Sequence, residues 1–142
     1  MIDKILATDL SKNFSETLDI VIRKNKPLIA QRTRDLIFLM NDELVDNLLS
    51  AYSFNTLKFE ESDGSVTLSS VDMDITANGE NKAKSIENYI KNMKEYAEEY
   101  YNDIENWYIG NRKKHYPYVL ELLLKSDEEI KDRIKICQAG ES

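Results

Sequence analysis

Cysteine occurs once in this 142-residue chain, at Cys137, which excludes an internal disulfide and a cysteine metal cluster. Histidine is as scarce: His115 stands alone, and no Ser, Cys or Asp motif frames it as part of a hydrolytic site. It reads as a surface or capping residue, and Cys137 as an inert apolar filler. With four glycines and two prolines, the chain is expected to be mostly regular structure with short connections. No apolar run approaches the roughly 18 residues of a membrane span. Met1-Ile2-Asp3-Lys4 lacks the basic-then-apolar layout of a signal peptide. These absences point to a cytoplasmic protein with no cofactor, no metal and no membrane partner, and they argue against an enzyme.

What is present supports a packed, soluble fold of one ordinary domain or two very small ones: 42% hydrophobic and 32% charged residues. The charge is unevenly placed. Residues 1–41 carry seven Lys/Arg against five Asp/Glu, whereas residues 42–142 carry twelve against twenty-one. A weakly basic head on an acidic body suits a head that meets phosphate and a body that meets a basic protein. Acidity that merely aids solubility is the plainer reading of the same numbers.

The spacing of apolar residues predicts a short strand at 5–7, then a helix capped by Thr8 or Asp9 and striped by Leu10, Phe14, Leu18, Val21 and Ile22. Pro27 opens a strand at 28–30. Arg32-Thr33-Arg34-Asp35 reads as a turn looser than a two-residue hairpin, and a strand follows at 36–40. Asn41 or Asp42 caps a helix with Leu44, Val45, Leu48 and Leu49 on one side. A second unit begins with alternation at 56–60, a turn at Ser62-Asp63-Gly64-Ser65, and one strand over 66–76 with Val71, Met73 and Ile75 on one face. Asp72 and Asp74 would share the solvated face. The longest helix is expected from Glu80 to about Tyr108, its buried seam formed by Ile86, Ile90, Met93, Ala97, Tyr100, Ile104 and Trp107 or Tyr108 at steps of three or four. A polar break at 111–115 precedes a helix led by Pro117, with Tyr116 held out of the helical region. Ser126-Asp127-Glu128-Glu129 has the form of a capping box, starting a last helix that carries Ile130, Ile134 and Ile136. Residues 138–142 should fray.

The order strand, helix, strand, strand, helix over residues 5–50 carries a resemblance. Thr8-Asp9-Leu10-Ser11-Lys12-Asn13-Phe14-Ser15-Glu16, followed by the Pro27-led strand, the Arg-containing turn and a short helix, resembles the N-terminal domain of Phd/YefM-type antitoxins. The family commonly has a basic residue where Ser11 stands, and a Gly in the turn that Arg32–Asp35 lacks. Tyr96-Ala97-Glu98-Glu99-Tyr100-Tyr101 and Asn111-Arg112-Lys113-Lys114-His115-Tyr116-Pro117-Tyr118 resemble segments of a longer Phd-like branch. The strand-turn-strand-helix at 56–95 is also similar to HicB-type antitoxins.

The resemblance implies an α+β protein. Residues 1–52 form a β-α-β-β-α head that dimerises and binds DNA. Residues 53–142 form an acidic hairpin-plus-helices region that binds a toxin. The expected function is a bacterial antitoxin that neutralises a cognate toxin and represses its own operon. The alternative is a non-enzymatic accessory module of a mobile element that kept the fold without a toxin. The implied partners are a small basic toxin (an RNA-cleaving enzyme in such systems), operator DNA and a second copy of the chain. Candidate DNA contacts are Ser11, Lys12, Arg32 and Arg34, since a dimer doubles a small set of cations and spaces two half-sites along a duplex. Candidate toxin contacts are Tyr96, Glu98, Glu99, Tyr101 and Asp103. Tyrosines at 89, 96 and 101 would either flank the buried seam as an exposed aromatic-acidic surface or pack under the terminal helices.

Overall fold

The computed structural model describes residues 1–138, which separate into two compact units, residues 1–51 and 52–138. The first unit runs β1 (Lys4–Leu6), α1 (Ala7–Lys12), α2 (Phe14–Arg23), β2 (Leu28–Arg32), β3 (Asp35–Leu39) and α3 (Asp42–Leu49). Its sheet has the order β1-β2-β3, with β1 parallel and β3 antiparallel to the central β2.

The single helix expected from the Leu10–Ile22 stripe is two helices. At Asn13 the backbone leaves the helical region (φ −120°, ψ 34°), and the Asn13 side chain donates to the Asp9 carbonyl at 3.2 Å, competing with the helix ladder. The break turns the stripe: Thr17 and Val21 are buried, whereas Phe14 and Ile22 are exposed. Asn41 caps α3 as expected, accepting from the Leu44 amide at 2.9 Å.

The turn between β2 and β3 also differs from expectation. Arg32 pairs with Asp35, so Thr33-Arg34 is a two-residue hairpin, with φ positive (56°) at Thr33 alone. That is the type II′ pattern, in which the first turn position normally takes glycine. Thr33 performs the role the missing Gly would have played, at a steric cost a β-branched residue pays in this region. Thr33→Gly should therefore raise the stability of the first unit by about 0.5–1 kcal/mol, seen as a higher thermal midpoint by circular dichroism. A lower midpoint would show that the threonine side chain contributes more than the strain removes.

The second unit runs β4 (Phe54–Glu60), β5 (Val66–Ser70), β6 (Thr76–Gly79), α4 (Lys82–Asn102), α5 (Ile104–Trp107), a 3-10 helix (Gly110–His115), α6 (Tyr116–Leu124), α7 (Asp127–Asp132) and β7 (Ile134–Gln138). Its four strands lie in the order β6-β5-β4-β7. Phe54, Val66, Leu68 and Ala77 from the sheet pack with Tyr89, Met93, Ala97 and Tyr100 of α4, Val119 and Leu122 of α6, and Ile130 of α7. Gly79 is required where β6 meets α4, since a Cβ there would lie 2.3 Å from the Ser85 amide nitrogen. On the outer edge of β6, Asn88 and Asn92 of α4 donate to the Asn78 and Thr76 carbonyls at 2.9 and 3.1 Å. The helix thereby blunts an otherwise open sheet edge.

Four expectations are corrected here. The strand over 66–76 breaks after Ser70: residues 71–75 bend, burying Met73 and Ile75 while Val71 is exposed, and β6 then pairs back on β5. The long helix ends at Asn102, where Asp103 leaves the helical region, and restarts as the short α5. Tyr116 is helical despite the proline after it (φ −57°, ψ −45°). The last helix stops at Asp132, and Ile134–Gln138 is a strand parallel to β4, with Phe54 opposite Ile134 and Lys58 opposite Gln138. Gln138 is thus paired, and the fraying expected for 139–142 lies outside the described residues. The Ser126–Glu129 capping box is present in full. Among the described residues no helix is long and apolar enough to cross a membrane.

Candidate functional site

In the first unit the hairpin places Arg32 and Arg34 on either side of Thr33. The Gln31 amide donates to the Thr33 carbonyl at 3.1 Å and steadies the tip. Both arginines are exposed, with no ion pair among the described residues. Arg32, Thr33, Arg34 and Asp35 wall an open concavity of about 620 Å³. Ser11 and Lys12 are exposed at the end of α1 and do not line it. The fold thus groups the two arginines and leaves Ser11 and Lys12 apart from that concavity. The same unit exposes large apolar side chains, among them Leu6, Phe14, Ile22, Leu36, Ile37, Phe38 and Leu48. Three are consecutive on β3, an edge strand with one side unpaired in its sheet.

In the second unit, Glu98 and Glu99 line a groove of about 510 Å³ with Glu95, Lys91, Lys94 and Asp127. Lys94 is held there by Asp127 at 2.5 Å and donates to the Lys125 carbonyl at 3.0 Å, joining α4 to the start of α7. Tyr101 is 54% exposed. Asp103 lies just past α4, where its carboxylate accepts both bonds from the Asn106 amide, at 2.9 and 3.1 Å.

Tyr96 lies elsewhere. Its hydroxyl is 2.5 Å from His115 Nδ1, and its ring meets those of Trp107, Tyr100 and His115 at 5.5, 6.0 and 5.8 Å. Burial pushes the Tyr96 hydroxyl up to about 12 and holds His115 below its ordinary value, with Asp74 opposing the shift at His115. Tyr89 is fully buried, its hydroxyl 3.0 Å from the Thr56 hydroxyl. Of the three tyrosines expected to flank the seam, then, one lies under the sheet, one is half-buried beside His115 and one faces solvent.

Sequence reasoning missed three features here. His115 stands at the N-cap position of α6 as a capping residue would, but its side chain makes no capping bond and is instead a half-buried partner of Tyr96. Cys137 is exposed on β7 and fills no core space. Asp72 and Asp74 stand in the 71–75 bend: Asp72 accepts from the Asn55 amide at 3.4 Å, and Asp74 lines a cavity with His115 and Tyr96. Only the Asn111–Tyr118 motif marked this region in the sequence, without saying what His115 would meet.

A charged hairpin tip on one unit and an acidic groove on the other are the equipment of a protein that acts by binding partners. The family it belongs to follows from the comparison: the PHD-like antitoxins of RelE/RelB toxin–antitoxin systems, whose model matches residues 1–136. A solved structure from Syntrophomonas wolfei subsp. wolfei, described as the antitoxin part of a proposed toxin/antitoxin system, is similar throughout. It is 29% identical and superposes with a TM-score of 0.89 over 97% of this chain and 100% of that one. No curated protein matches the chain. The protein is an antitoxin, a non-enzymatic regulatory protein, and its family implies a toxin partner.

Proposed function

We propose that the second unit neutralises a small, basic, RNA-cleaving bacterial toxin by direct binding, and that the first unit dimerises and represses the operon by binding its operator. The observation that carries the toxin reading is the acidic groove along α4, where Glu95, Glu98 and Glu99 face solvent in a family defined by its toxin partners. Complementary charge there steers a basic partner and masks its active surface without chemistry. Tyr101 supplies exposed aromatic contact area at one flank, and Asp103 extends the acidic stripe past the helix end. The operator reading is supported by the unpaired arginines of the hairpin tip, and the dimer by the apolar residues of β3.

The test is co-expression with the neighbouring gene product, followed by pull-down and a growth assay. Reversing charge at Glu98, Glu99 and Asp103 should slow toxin association by roughly tenfold or more at low salt and leave the circular dichroism spectrum unchanged, since all three are exposed. Tyr101→Ala should instead speed dissociation. If residues 1–51 alone protect cells, the assignment of neutralisation to the second unit is wrong.

A further inference from the structure

The second unit is acidic, yet its 3-10 helix sets three cations in a row. Arg112, Lys113 and Lys114 are all exposed, and none forms an ion pair among the described residues. Elsewhere in the unit Lys58, Lys84, Lys91 and Lys94 each pair with a carboxylate. Two of the three cations instead lie over aromatic faces. The Arg112 guanidinium carbon is 4.6 Å from the Trp107 ring centroid, and Lys113 Nζ is 5.4 Å from that of Tyr108. The Tyr100 hydroxyl donates to the Arg112 carbonyl at 2.7 Å, tying this segment to the buried face of α4.

Beside Arg112, the first of these cations, opens a cavity of about 700 Å³, within the range of small-ligand sites. Tyr96 and Trp107 give it aromatic walls, Arg112 and His115 give it donors, and Asp74 gives it a carboxylate that makes no hydrogen bond or ion pair among the described residues. These chemistries discriminate between anionic ligands. Inorganic phosphate uses the cations and neglects the rings. An acidic peptide uses the cations, but its carboxylate side chains leave the ring faces unused. A nucleotide uses everything: phosphate for the cations, a π-face for the rings, and base N–H groups for the carboxylate.

We propose that this cavity binds single-stranded nucleic acid, seating one nucleotide against Trp107 and Tyr96 with the flanking phosphates on Arg112, Lys113 and Lys114. The site is built of second-unit residues and shares none with the hairpin tip offered for operator DNA or with the acidic groove offered for the toxin.

The chain has one tryptophan, so Trp107 fluorescence reports on this site alone. The full-length protein is titrated with short oligouridylate and oligothymidylate, following Trp107 quenching, and in parallel with the fluorescein-labelled oligomers, following anisotropy. Quenching that saturates with either oligomer is expected, and the stronger of the two identifies RNA or DNA as the ligand. Replacing Arg112, Lys113 and Lys114 by Ala together should weaken binding roughly tenfold or more and reduce the slope of log affinity against log salt by about two. Arg32→Ala/Arg34→Ala should leave the quenching intact. The proposal is overturned if neither oligomer quenches Trp107, or if the hairpin variant abolishes quenching while the triple variant does not. It is equally overturned if polyglutamate or inorganic phosphate competes as well as the oligomers do. Wild-type circular dichroism from the triple variant excludes unfolding as the cause of lost binding.

Discussion

Glu121→Ala is expected to destabilise the second unit by about 3–5 kcal/mol, a large share of the 5–15 kcal/mol typical of a whole domain. Glu121 lies on α6 with its side chain wholly buried, yet it is ionisable. Its Oε1 is 3.0 Å from Arg133 Nε and 3.4 Å from Lys125 Nζ. Arg133 in turn donates from Nη2 to the Tyr52 carbonyl at 2.7 Å, and its own carbonyl accepts from the Phe54 amide at 3.0 Å. One buried carboxylate thus fixes the residue that joins α7 to β7 and that holds the first residues of β4. Removing it takes a negative charge away from two cations that are only 11–20% exposed, where the loss is poorly made good by water. The measurement is urea unfolding followed by Trp107, which lies in the same unit. Replacing Glu121 by Leu and Arg133 by Met together should recover part of the loss, because apolar groups of similar volume avoid the desolvation cost. A Glu121→Ala midpoint indistinguishable from wild type would mean that the core alone seats β7.

Phe38→Asp carries the second large effect, on assembly. Phe38 is 53% exposed on β3, between Ile37 and Leu39 and opposite the buried Ile29. A unit of 51 residues buries little apolar surface for its size, and leaving Leu36, Ile37 and Phe38 in water adds to that deficit. If the proposed dimer forms through this strand, a carboxylate at its centre should raise the dissociation constant by about 30-fold or more, the effect of losing a central aromatic anchor. Operator affinity should fall with it, because paired half-sites need paired heads. Sedimentation velocity at micromolar concentration, on wild type and Phe38→Asp alike, checks this. A wild-type protein that sediments as a monomer there would reject the dimer outright, and an unchanged Phe38→Asp dimer would move the interface off β3.

Much of the first unit was legible because its signals are local. Asn41 caps the helix it precedes, Pro27 marks the break before β2, and the run Leu28–Leu39 needs only a reversal between two apolar stretches. The seam of α4 was equally plain, since Ile90, Met93, Ala97 and Tyr100 recur at steps of three or four and are all buried. Signals within one helix turn or one hairpin need no knowledge of distant partners. The exposure of Phe14 and Ile22 was not legible: a helix wheel assumes a continuous helix, and the Asn13 break rotates every later position.

The sequence by itself determined the resemblance to antitoxins, through the motif order over residues 5–50, together with the charge asymmetry, the α4 seam and the Ser126–Glu129 cap. Apart from the charge asymmetry, which is a matter of composition, each is carried by residues close together along the chain. Only the tertiary structure decided β7. Ile130 to Ile134 is a helical step and Ile134 to Ile136 a strand step, so spacing there favours neither state, and the ladder partner Phe54 lies 80 residues earlier. Tertiary packing likewise decided that Glu121 is buried, that Tyr96 meets His115 and not the acidic groove, and that Asp74 and Arg112 line one cavity. Burial, ion pairing and cavity walls depend on which side chains meet from different elements, and a linear pattern does not encode those meetings.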